Sequence, residues 1–171
     1  DFLMKTSTSL KRVNFSGTTI WSHQNVAASD LNSYFPYLAF IADPSGNVSR
    51  IDVATGNIIW TTATGLQHIA ALSYSHDFGV IGVTDNNSYL QQHSMFRIDS
   101  VGNILWTKNY QAALWGFDAI RHGFNNGIVS GGTYFTSKSF FYQPLVEDIG
   151  NSYGAFLVHT DSLGNGPEKI S

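Results

Sequence analysis

The residues whose types suit chemistry are few and scattered along the chain. His76 beside Asp77, and His93 in a polar stretch, are metal-ligand types. Neither shows the His-x-His or His-Glu-x-x-His spacing that puts two ligands on one face, so both read as surface or turn residues. Asp43-Pro-Ser-Gly-Asn47 opens like a calcium loop, yet no carboxylate follows where the bidentate ligand belongs. A turn between strands is the better reading. Gly131-Gly132-Thr133 falls within a strand pattern and opens no helix, so it does not cradle phosphate. No serine stands in a nucleophile elbow. The absence of cysteine removes disulfides, thiolate metal sites and a cysteine nucleophile. Trp21, Trp60 and Trp106 are flat enough to stack on a sugar, and Asp52, Asp99 and Asp161 are acids. They recur, however, at fixed places in a repeat. A catalytic residue stands in one copy, whereas a residue present in every copy serves the repeat itself. No catalytic, cofactor-binding or metal-binding residue is therefore predicted.

The repeat is a hairpin written four times: Arg12 to Trp21, Arg50 to Trp60, Arg97 to Trp106 and His159 to Glu168. Each turns on a glycine, Gly17, Gly56, Gly102 or Gly164, and the first three place Trp at one offset after it. In the third copy Ile98 should face an adjacent sheet. Asp99 ends the strand, where its carboxylate can accept turn N–H groups. Gly102 supplies the positive φ of the reversal. Ile104-Leu105-Trp106 is expected to return as a buried run, with the Trp laid against the neighbouring unit. Blade-to-blade packing is thus the expected role of Trp21, Trp60 and Trp106.

Alternation and turn residues place strands near 9–14 and 18–23. They continue near 27–33, 37–42, 47–52 and 57–62; near 68–74, 79–84, 94–99 and 104–109; and near 116–122, 127–134, 153–160 and 166–170. Helix signals are almost absent. The predicted fold class is all-β: a β-propeller-type array of about three and a half four-stranded antiparallel blades in one domain, 1–171. The units are approximately 1–24, 25–64, 65–111 and 112–171, the last with an insertion at 135–152. The first is expected to supply only a hairpin and to lack two strands. Phe140, Phe141 and Tyr142 lie in a row in the insertion, where they either tuck onto the blade beneath or form a binding loop.

Asp52-Val-Ala-Thr-Gly56-Asn-Ile-Ile-Trp60 resembles the tryptophan-docking hairpin of quinoprotein (PQQ-like) β-propeller repeats. Asp99-Ser-Val-Gly-Asn-Ile-Leu-Trp106 and Asp161-Ser-Leu-Gly-Asn165 are similar to the propeller repeats of exported Bacteroidetes surface proteins. The resemblance implies a propeller of stacked blades and an exported life, with type IX secretion as one route. Quinoprotein dehydrogenases also use calcium, a catalytic Asp and often adjacent cysteines. None of those residues can be matched here, so the activity and the cofactor are not carried over. The fourth copy departs from the pattern, with Gly166-Pro167-Glu168 where apolar residues and Trp should stand. Pro is confined to strand edges, so the array is expected to end there.

Composition narrows the partners. Charged residues make up 12% of the chain, aromatics 14%, and the net charge is −3. Lys11-Arg12 is the only adjacent basic pair, too little for nucleic-acid binding. No apolar run reaches the length of a membrane span. The start at Asp1 reads as processed or cut from something larger. The expected function is a non-catalytic secreted or cell-surface scaffold binding protein, with glycan as a second ligand class. The expected partner at the first, incomplete unit is another protein or further propeller blades. Two alternatives are a structural subunit of a bacterial secretion or adhesion assembly, and a piece of a propeller enzyme whose active residues lie elsewhere.

Overall fold

A computed structural model describes residues 1–6, 8–24, 30–34, 37–84, 93–110, 114–122, 127–135 and 153–166. Every regular element among them is a strand. β1 (Phe2–Lys5), β2 (Ser9–Val13) and β3 (Thr19–Gln24) form the first sheet. β4 (Asp30–Tyr34), β5 (Leu38–Ala42), β6 (Asn47–Asp52) and β7 (Ile58–Ala63) form the second. β8 (Ile69–Tyr74), β9 (Val80–Thr84), β10 (His93–Ile98) and β11 (Ile104–Tyr110) form the third. β12 (Leu114–His122), β13 (Ile128–Phe135) and β14 (Tyr153–Thr160) form the fourth. Each is an antiparallel meander in chain order, the simplest way to pair strands joined by tight turns.

The first sheet has one more strand than its sequence suggests. β1 pairs with β2, Phe2 opposite Val13. The turn between them uses no glycine: Thr6 Oγ1 accepts from the Ser9 N–H at 2.9 Å and the Thr8 N–H at 3.3 Å. A hydroxyl-capped turn of this kind leaves little trace in a sequence. The pairing of Phe2 with Val13 repeats that of Ala39 with Ile51, Val80 with Ile98 and Ile128 with Thr160. β1 therefore matches the second strand of a complete sheet, and the first sheet lacks one strand rather than two.

The sheets stack face to face, and the core lies in the seams between them. Leu10 of the first sheet packs with Ala39, Ile41, Ile51 and Val53 of the second. Leu38, Phe40, Ala42 and Val48 meet Ile69, Leu72, Val80, Phe96 and Ile98 of the third. Ala71, Ile81, Val83 and Met95 meet Ile120 and Ile128 of the fourth. On the inner side β4 lies against β8 and β8 against β12. There the Tyr74 N–H donates to Asn32 Oδ1 at 3.0 Å.

Candidate functional site: the joints between sheets

The repeated hairpins β2–β3, β6–β7 and β10–β11 share one irregularity. Arg12 lies opposite Trp21, Arg50 opposite Trp60 and Arg97 opposite Trp106, and the register shifts at the next residue in each case. The shift is a β-bulge whose extra residue is Ile20, Ile59 or Leu105. A bulge turns the side chains beyond it relative to the ladder. It leaves Ile59 and Leu105 about half exposed, and Ile58 and Ile104 are exposed as well. The expected buried run Ile104-Leu105-Trp106 is thus overturned: on an outer edge strand with a bulge, only the Trp is turned onto the next sheet.

Each Trp meets the hairpin turn of the following sheet. The Trp21 indole N–H donates to the Val53 carbonyl at 2.9 Å, that of Trp60 to the Ser100 carbonyl at 3.1 Å and that of Trp106 to the Ser162 carbonyl at 3.2 Å. The cross-strand arginine converges on the same oxygen. Arg12 donates to Val53 O at 3.1 Å, Arg50 to Ser100 O at 2.6 Å and Arg97 to Ser162 O at 3.0 Å. One carbonyl, with two lone pairs, takes one indole and one guanidinium donor. Each indole also lies against the turn glycine. A Cβ on Gly56 would stand 2.8 Å from Trp21, on Gly102 3.1 Å from Trp60 and on Gly164 2.9 Å from Trp106. The three glycines have φ of +82°, +97° and +75°. They thus combine a backbone that disfavours a side chain with an indole close enough to crowd one.

Further contacts brace the joints. His23 hydrogen-bonds the Gly56 carbonyl through Nε2, and Thr62 Oγ1 donates to the Gly102 carbonyl at 2.6 Å. Arg12 pairs with Asp1 at 2.7 Å and Arg97 with Asp77 at 2.9 Å. Burial raises the Asp77 carboxyl, but the Ser75 hydroxyl, the Arg97 charge and the Gly79 N–H outweigh it and hold it below the usual carboxylate range.

The recurring acids shape the turns. Asp99 Oδ1 accepts from the N–H groups of Val101 and Asn103, and Asn103 Nδ2 reaches Oδ2 at 3.0 Å. Asp161 holds Leu163 and Asn165 in the same way. Asp43 holds Ser45 and Asn47 identically between β5 and β6, so the calcium-like stretch is a turn. Donation from the Asn103 and Asn165 backbones, followed by the other turn N–H groups, lowers both Asp99 and Asp161 below the ordinary value. A depressed folded-state value contributes stability that is full above the unfolded value, about 3.9. It is lost as pH falls through the folded value. Urea midpoints are therefore expected to fall below about pH 4, and more steeply in the native chain than in Asp99→Asn, whose turn amide does not titrate.

Among the described residues, no three His, Cys, Asp or Glu side chains gather to hold a metal ion. His76 lies in the β8–β9 turn, away from any such group. Phe140, Phe141 and Tyr142 lie outside the described residues. The three arginines were visible in the repeated hairpins but carried no expected role. Their recurrence nine or ten residues before each Trp was the available signal, since across a tight turn that distance makes them cross-strand partners.

Four antiparallel meanders stacked face to face, joined hairpin to turn, agree with what solved structures show. The chain is similar to Kuenenia stuttgartiensis hydrazine synthase (TM-score 0.68, 15% identity, covering 94% of this chain and 47% of that one). It is similar to BamB from Moraxella catarrhalis (0.64, 14%, 96% and 44%). It also resembles the Neurospora crassa Pan2 WD40 domain (0.59, 15%, 96% and 48%). The fold is a partial β-propeller. Its sheets are blades, and this chain spans about half the length of those relatives. Neither a protein-family profile nor a curated protein matches the sequence.

Proposed function

We propose that this partial propeller is a non-catalytic, protein-binding scaffold of the secreted or cell-surface kind. The observation that carries the proposal is an apolar band repeated from blade to blade. Ile20, Ile58, Ile59, Ile104 and Leu105 on the outer strands, with Val101 and Leu163 at the turn tips, all present exposed side chains. Recurring exposed aliphatics on edge strands invite pairing unless something covers them. Among the described residues, by contrast, Arg12, Arg50 and Arg97 are committed to joints, and Asp43, Asp52, Asp99 and Asp161 to turns. Propeller neighbours, WD40 domains among them, support an interaction role at the level of fold. Low charge and a sequence rich in Ser, Thr, Asn and Gly support export.

Photo-crosslinking residues placed at Ile59 and at Leu105, in the cell that makes the protein, should yield discrete protein adducts of the same mass at both positions. A position within a seam, Phe40, should yield none. Silence at both band positions, with a positive glycan array for the intact protein, would replace the protein ligand by a carbohydrate. Cell fractionation that leaves the protein inside would remove the exported part of the reading.

A further inference from the structure

The three joints define an acceptor surface by position, and among the described residues that surface occurs a fourth time with no indole on it. In blades two to four the positions of Ala39, Val80 and Ile128 are 0%, 0% and 1% exposed. Phe2 holds this position in the first blade and is 47% exposed. Met4, the counterpart of Ile41, is 40% exposed against 5%. Gly56, Gly102 and Gly164 each carry an indole, whereas a Cβ on Gly17 would meet nothing within 4 Å. Gly17 nonetheless keeps φ +85°. The Asn14 side chain caps the turn as Asp99 does, accepting from the N–H groups of Ser16 and Thr18. The residue after Asn14 is Phe15, 89% exposed. Its carbonyl occupies the place of the Ser100 and Ser162 carbonyls that accept an indole and a guanidinium.

We infer that the face formed by Phe2, Met4, the Phe15 carbonyl and Gly17 is the acceptor half of a further joint. Its occupant is a propeller blade whose outer hairpin presents Arg and Trp as cross-strand partners. The inference deepens the scaffold reading by naming a partner for one face, and it does not involve the apolar band. The chemistry of the occupant is given by the three joints already made in this chain. The described hairpins of a second copy do not supply it: Trp21, Trp60 and Trp106 are all engaged within their own chain. The fourth hairpin carries His159 in place of the arginine. β1 is also an edge strand, so a strand laid beside it would complete the sheet. The short span of this chain against its structural neighbours leaves room in the ring for such a blade.

The test extends the full chain at its N-terminus with a second copy of residues 25–78. That copy carries one blade with its Arg and Trp, followed by a strand aligned to precede β1. Indole N–H exchange, read by NMR, is expected to be at least about tenfold slower for the added Trp than for free indole, as for a docked group. Gly17→Asn, an exchange a left-handed turn tolerates, should return the added Trp to the free rate. In the unextended chain it should move Tm by no more than about 3 °C. Gly102→Asn calibrates the measurement by releasing Trp60 in the unextended chain. An added indole that exchanges freely, an added blade that stays unfolded, or protection that survives Gly17→Asn overturns the inference. So does a Trp60 indifferent to Gly102→Asn. Failure of crosslinking at Ile59 and Leu105 would leave these results untouched.

Discussion

Trp60→Ala should destabilise the protein by about 3 kcal/mol, at the lower end for a large aromatic truncation because the indole is only half-buried. The ring lies 5.9 Å from Phe40, centroid to centroid, at the edge of the seam between the second and third sheets. Its removal opens that seam to water, strips the surface of Gly102 and withdraws one donor from the Ser100 carbonyl. Arg50 still reaches that oxygen, so the carbonyl is not orphaned and the loss is mainly packing. Trp60→Phe separates the two parts: it keeps most of the contact, and should lose about 1 kcal/mol for the hydrogen bond. Urea unfolding followed by far-UV circular dichroism checks both. Equal midpoints for the two variants would mean that the hydrogen bond, not the ring, holds the joint.

Gly46→Ala should be comparably damaging. Gly46 has φ +83°, and a Cβ there would stand 1.6 Å from the Leu66 carbonyl oxygen. The left-handed backbone alone costs a residue with a side chain roughly 1–2 kcal/mol. Displacing Leu66 adds about 1–3 kcal/mol of the kind seen on overpacking. The displaced segment is tied to Gly46 itself, whose carbonyl accepts from Thr64 N–H at 3.1 Å and Thr64 Oγ1 at 2.7 Å. It cannot move away without breaking those bonds. Gly17→Ala is the control: φ is nearly the same, yet the space is open, so only the backbone part should appear. A thermal melt in which the two variants coincide would refute the steric part.

The contrast between those two glycines shows what a sequence conveys and what it withholds. Both announce a turn, and the spacing of Gly17, Gly56, Gly102 and Gly164 with their Trp residues makes the repeated hairpin legible. Crowding is not legible, because it depends on what a distant segment brings alongside. The same limit explains Ile104 and Leu105. An apolar pair before a Trp suits a central strand or an outer one, and only the spatial order of strands, with the bulge opposite Arg97, leaves it in solvent. β1 leaves little trace in the sequence for a local reason: its turn is closed by the Thr6 hydroxyl instead of glycine. Arg12, Arg50 and Arg97 stood in plain view, but convergence on one oxygen is a property of three dimensions.

Because every linkage joins an outer hairpin to the turn of its successor, the series has a direction, like a row of identical building blocks with a stud on one side and a hole on the other. Stud and hole belong to one short stretch of chain, so copying that stretch once supplies both halves of a new connection and disturbs none already made. Two such rows could never meet symmetrically, stud to stud. They could join only head to tail, and the last block here, with His159 and Glu168 where Arg and Trp would stand, offers no stud.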